Sequence, residues 1–277
     1  MLLKALQKQN PALIDAALLL WQKGAIKPDN YVIDVDQVKQ NAHLLLETAA
    51  RYGITLYLMS KQFGRNPLLC KLLLEWGYQG IVAVDFKEAR QLYQHHLPVA
   101  HVGHLVQIPS AMVDDVVAHR PEVITVYSIA KAREIAAAAL RQKTEQALLL
   151  KVWHHSDLIY PGQEAGFALE ELPSIINEIK TLSGVRLVGV THFPCMLFDD
   201  EKGKTLPSPN LNTLIEAKSI LEQKGIQVEQ VNGPSATGVE SLPQLARFGV
   251  THAEPGHSLT GTMPSNQHGN QPEHVAM

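Results

Sequence analysis

The stretch Ile54-Thr-Leu-Tyr-Leu-Met-Ser60, then Lys61, the loop Gln62-Phe-Gly-Arg-Asn-Pro67 and a run on to Trp76 with apolar spacing of three and four set the pattern for the chain. The first segment is apolar except at Thr55 and Ser60, so it reads as a strand buried on both faces, and the run after the loop reads as the helix that covers it. The same pairing recurs. Further strands are expected at Gly80 to Val84, Val99 to His104, Val123 to Tyr127, Ala147 to Trp153, Val185 to Thr191, Gln227 to Asn232 and Val250 to Ala253. Helices are expected between them, at Lys87 to His95, Ala130 to Arg141, Leu169 to Leu182 and Asn210 to Lys224. Gly77, Gly184, Gly225 and Gly249 stand where helices end or strands begin, as C-terminal caps do. Alternation of this kind builds a parallel sheet. Eight consecutive units favour an α/β fold closed as a (β/α)8 TIM-type barrel over an open doubly wound sheet.

The barrel is expected over residues 54–264, after an N-terminal extension, 1–53, containing an amphipathic surface helix, a short strand at Tyr31-Val-Ile-Asp-Val-Asp36 and a helix from Gln37 to Tyr52. Residues 265–277 read as a polar linker that ends where an apolar run, Glu273-His-Val-Ala-Met277, is starting. Lys plus Arg is 24 against 27 for Asp plus Glu, so no basic face for nucleic acid is expected and a small-molecule partner fits better. No stretch approaches the roughly 20 apolar residues of a membrane span. Cys70 and Cys195 fit no metal or redox spacing and suit a reducing, cytoplasmic setting.

Barrels of this type carry their chemistry on the loops at the C-terminal ends of the strands. Lys61 occupies that position on the first strand. An ammonium carried by a strand to the rim of a core loses hydration, which favours a nucleophilic amine able to form a Schiff base. His192, in Val190-Thr-His-Phe-Pro194, ends the sixth strand. The loop after the seventh, Asn232-Gly-Pro-Ser-Ala-Thr-Gly238, offers backbone amides and the Ser235 and Thr237 hydroxyls ahead of a helix expected from Val239 to Ala246, a suitable place for a phosphate. The eighth strand ends Thr251-His-Ala-Glu-Pro-Gly-His-Ser258, where Glu254 lies inside an apolar strand end and needs a cationic partner. Gly256 lets the backbone approach a ligand.

Together these residues resemble the fold-type III pyridoxal-phosphate enzymes, the family of alanine racemase and eukaryotic ornithine decarboxylase, with Tyr31-Val-Ile-Asp-Val-Asp-Gln-Val-Lys-Gln-Asn41 similar to the family's opening signature. The resemblance runs from about Tyr31 to Gly261. It implies pyridoxal 5'-phosphate as cofactor, carried on Lys61, with His192 against the ring and Ser235, Thr237, Gly256 and His257 at the phosphate. Glu254 falls where the decarboxylase branch holds the pyridine nitrogen with a glutamate and alanine racemase uses an arginine. A glutamate keeps that nitrogen protonated and the ring electron-withdrawing, which allows racemisation, decarboxylation, transamination or elimination. Amino-acid racemisation is the reaction the resemblance implies first, with Lys61 as one of two bases at Cα.

The chain departs from the family at three places. Lys151-Val-Trp-His-His-Ser-Asp-Leu-Ile-Tyr-Pro-Gly-Gln-Glu-Ala-Gly-Phe167 has no arginine where racemases carry one to meet the cofactor's phenolic oxygen. The family's C-terminal β domain, which supplies the opposing base across a homodimer interface, is expected to lie outside this chain. The strand near Tyr31, which would pair with that domain, is then expected to leave an edge exposed. Two other functions compete: a barrel that binds the cofactor without robust turnover, and a metal-dependent enzyme built on His95, His96, His101, His104, His154 and His155. Neighbouring histidines on a strand point to opposite faces, so no metal site is expected.

Overall fold

The computed structural model describes residues 2–268 and 271–277. Eight strands form a closed barrel: Thr55–Met59, Gly80–Ala83, Val99–Val102, Val123–Val126, Gln146–Trp153, Val185–Thr191, Gln230–Asn232 and His252–Ala253. Each runs parallel to the next, and the eighth returns to the first through Thr55 opposite His252 and Leu56 opposite Ala253. A short ninth segment, Phe167–Ala168, adds to the end of the fifth strand.

Side chains alternate across the first strand as a pleat requires. Leu56 and Leu58 join the layer between strands and helices, whereas Tyr57 and Met59 pack inside the barrel with Val82 and Ala100. The sixth and seventh strands approach so closely that a Cβ at Gly189 would lie 1.7 Å from the Gln230 carbonyl oxygen, so only glycine fits there. Helices Pro67–Glu75, Phe86–Gln94, Val113–Ala118, Ile129–Arg141, Leu172–Ile179, Asn210–Gln223 and Leu242–Arg247 surround the strands. Several begin where a side-chain oxygen satisfies free amides: Asn66 accepts from Leu68 and Leu69, Asp85 from Glu88, and Ser128 from Lys131. Both cysteines are free and buried.

Both ends differ from the sequence expectation. The start is two helices, Leu2–Gln9 and Pro11–Gln22. Tyr31 to Asp34 is not a strand, and the next helix starts at Val35. Asp34 decides this: its Oδ1 accepts from the Gln37 amide at 3.0 Å, an N-cap that outweighs the β-like alternation around it. The expected linker falls partly on residues 269 and 270, outside the described residues, but the rest of it packs against the barrel. Ser265 and Asn266 are buried, and Val275 and Ala276 are fully so. The amide of Ala276 donates to the Thr260 carbonyl at 2.9 Å, its carbonyl accepts from Asp34, and the Asn41 side chain brackets His274 from both sides. No helix among the described residues is long and apolar enough to cross a membrane.

Candidate active site

A cavity of about 330 Å³ opens at the C-terminal ends of the strands, within the size range of small-ligand sites. Lys61, Ser235, Thr237, Glu254, Gly256 and His257 all line it. Three connections, after the first, seventh and eighth strands, therefore meet at one place.

Lys61 sits in a single 3-10 turn, Ser60–Phe63, that follows the first strand without a break. Glu88 fixes that turn. Buried on the second βα unit, it accepts from the Ser60 hydroxyl at 2.7 Å and from the Val84 amide at 2.8 Å, with the Arg65 guanidinium 3.5 Å away. On the other side the Met59 amide donates to the Pro255 carbonyl at 2.9 Å, tying the lysine turn to the Glu254 loop. Gly256 lets the two turns approach closely: a Cβ there would lie 2.5 Å from Gln62 Oε1 and 3.1 Å from Met59 Cβ, so the Gln62 side chain would have to move.

Glu254 forms the buried floor. Its Oε1 accepts from His101 Nδ1 and from the Asn232 amide, each at 2.7 Å. His101 is aimed inward by a bulge: Val99 pairs with Ile81 and His101 with Val82, leaving Ala100 unmatched between them. Thr125 holds the far nitrogen of His101 at 2.6 Å. His104 Nδ1 lies 3.0 Å from Glu254 Oε2, but the two do not align as a hydrogen bond, and both atoms lack a partner. Burial opposes charge on Glu254, yet His104 and His101 outweigh it and hold the carboxyl well below the usual range.

The loop after the seventh strand takes positive φ at two non-glycine residues, Ser235 (99°) and Ala236 (42°), a conformation costing of order 1–3 kcal/mol per residue and common at ligand sites. The amides of Ser235, Ala236 and Thr237 donate to no acceptor among the described residues. Ser235 Oγ donates to the Met196 carbonyl at 2.8 Å, and Thr237 Oγ1 is buried without a partner. The helix expected from Val239 begins only at Leu242 and is six residues long, so the free donors here belong to the loop and not to a helix start.

His192 is placed elsewhere. It lines a separate small cavity with Lys151, Tyr127 and Gln163, and Phe193 lines the main cavity in its stead. The Phe193 amide donates to His192 Nδ1, so the ring proton is on Nε2 and is donated to Asp157 Oδ2 at 2.7 Å. Burial lowers the His192 pKa, while the hydrogen bonds from His192 and Thr213 keep Asp157 ionised against its own burial. This dyad ties the loop after the fifth strand to the sixth. Lys151, which closes the small cavity, is pushed down to about 8 by burial.

Sequence reading missed His101, His104, Asn232 and Glu88 as parts of this rim. His101-Val-Gly-His104 at a strand end was the available signal for two of them. It also missed a hairpin, Met196–Asp199 paired with Lys204–Pro207, that stands beside the cavity. Adjacent His154 and His155 follow the end of the fifth strand instead of lying within it, so both reach Glu170 and form one of two ligand-type clusters among the described residues; the other is His101, His104 and Glu254.

A family model described as the alanine racemase N-terminal domain matches residues 33–264. The chain belongs to the alanine racemase N-terminal domain family. Among curated proteins, the uncharacterised YhfX of Escherichia coli K12 is 59% identical over the whole of this chain, which spans 72% of YhfX. Among solved structures, diaminopimelate decarboxylase from Helicobacter pylori, complexed with L-lysine, superposes with a TM-score of 0.67 at 16% identity, covering 88% of this chain and 67% of that one. Alanine racemase of Clostridium difficile 630 gives 0.64 at 17%, covering 84% and 58%. At such low identity these structures show the shared barrel alone. Glu254 on the cavity floor is a property of this chain's own residues.

Two histidines make stability pH-dependent. Burial lowers His192, and partial burial brings His252 down to about 4. A histidine whose folded pKa lies below its unfolded value stabilises the fold above pH 6.5 and loses that contribution as the pH falls, because the unfolded chain takes up protons the fold refuses. His252 alone accounts for about 3 kcal/mol. Glu273, raised by burial, opposes the trend above its ordinary range. The melting temperature is expected to drop steadily from pH 7 to pH 4.5. A flat profile would show that these histidines are protonated in the fold.

Proposed function

We propose that this chain is the cofactor-binding barrel of a pyridoxal-phosphate enzyme that acts at Cα of an amino acid, with racemisation as its reaction. The observation that carries the reading is the set of unsatisfied atoms around one cavity: Lys61 at one side, the free amides and Thr237 hydroxyl at another, and an ionised, partly unpaired carboxylate on the floor. A polar, anionic, ring-shaped ligand with a protonated nitrogen satisfies all three. Bound there, the cofactor supplies an electron sink for charge developing at Cα.

The remaining chemistry belongs to the protein. Lys61 holds the cofactor and then moves the α proton on its own face. The loop at Ser235 to Thr237, with Gly256 and His257, anchors the phosphate. Glu254, kept ionised by His104 and His101, would accept from the ring nitrogen at its unpartnered Oε2. Phe193 and His104, ring centroids 5.7 Å apart and edge to face, line the cavity and would flank the ring. A glutamate at that position also suits a decarboxylase, so the test must separate the two. Protein loaded with cofactor and incubated with amino acids in D₂O is expected to gain α-deuterium without releasing carbon dioxide. Carbon dioxide release would assign decarboxylation, and neither signal would leave a cofactor-binding barrel without turnover.

A further inference from the structure

The hairpin Met196–Pro207 and the makeup of the cavity bear on which amino acid the site takes. Cross-strand partners share a face of a hairpin, and residues two apart along a strand do as well. Phe198 lies opposite Thr205 and two residues from Met196, so Met196, Phe198 and Thr205 form one face, and all three line the cavity. The hairpin base is held in place. Cys195 donates to the Pro234 carbonyl at 3.0 Å, Ser235 Oγ to the Met196 carbonyl, and the Gln244 side chain to the Thr205 carbonyl at 3.2 Å. The apolar face is thus fixed to the loop at Ser235, and Met263 and Pro264 add to the apolar lining of the cavity.

The charges around the cavity are few. Among the described residues no aspartate or arginine lines it, its one carboxylate is Glu254 on the His101, His104 and Asn232 cluster, and its one lysine is Lys61. A side-chain ammonium or guanidinium set against Met196 and Phe198 would meet no carboxylate among the described residues lining the cavity other than Glu254, and a side-chain carboxylate no lysine or arginine other than Lys61. Burying such a charge unpaired is strongly unfavourable. We infer that the substrate is an α-amino acid with an uncharged, apolar side chain, seated against Phe198 and Met196 on the hairpin face. This rests on the cofactor reading above.

The test is a titration of cofactor-loaded protein with leucine, methionine, glutamate and lysine, followed by the visible spectrum of the bound cofactor. Leucine and methionine are expected to perturb it at concentrations at least about tenfold below glutamate and lysine. Phe198→Arg, which adds a cation to the hairpin face, is expected to reverse the order between glutamate and leucine. Phe198→Ala is expected to raise the half-saturating leucine concentration by about tenfold or more. Equal or tighter responses to glutamate or lysine in the wild-type protein would overturn the inference while leaving the cofactor reading intact, as would a spectrum that no amino acid changes. Failure to take up pyridoxal phosphate at all would overturn both, and that outcome is visible before any amino acid is added.

Discussion

Borohydride treatment of the protein incubated with pyridoxal phosphate is expected to fix the cofactor on the peptide that carries Lys61, and Lys61→Ala is expected to remove both the label and the visible absorbance. The competing amine is Lys151, which burial pushes down to about 8, so a larger share of it is uncharged at neutral pH. Geometry decides against it. Lys151 donates to the Gln163 carbonyl at 3.1 Å beside a space of about 10 Å³, too small for more than a water, whereas Lys61 faces the open cavity of about 330 Å³. A label on the Lys151 peptide would place the chemistry in the smaller cavity, with His192, and would sink the site described above.

Glu254→Gln is expected to leave the cofactor bound and to slow α-deuterium incorporation by about 10²–10³-fold, the range seen when one preorganised electrostatic group is removed from an active site. Glutamine keeps the shape and the Asn232 contact but gives up the charge that the ring nitrogen needs. Unchanged exchange would mean that Oε2 does not meet that nitrogen. The structure also rules on the more drastic variant. An arginine at this position would bury a guanidinium among His101, His104 and the Asn232 side chain with no carboxylate left to pair it, so Glu254→Arg is expected to lose folded protein before it can report on chemistry.

The barrel was legible because parallel strands covered by helices must be apolar on both faces, and Ile54 to Ser60 and its seven successors carry that mark without reference to any distant residue. Lys61, Ser235, Thr237, Glu254 and Gly256 could be placed on one rim for a related reason: once strands close into a barrel, every strand end is at the same side. His257 came from the family resemblance and lines the same cavity. The stretch Tyr31 to Asp36 misled because alternation is a property of side chains, whereas the Asp34 cap is a competition for a backbone amide.

What the sequence by itself determined is therefore the set of positions whose meaning is local: strand ends, a donor-rich loop and a lysine at a rim. The tertiary structure decided which of those side chains face one another. His192 ends a strand as Glu254 does, yet its ring turns to Asp157, 35 residues away in sequence, while His101 and His104 reach Glu254 across about 150 residues because a one-residue bulge re-aims the third strand. Direction of a side chain at a strand end depends on register and twist between neighbouring strands, and those are set by packing over the whole barrel, which no single segment encodes.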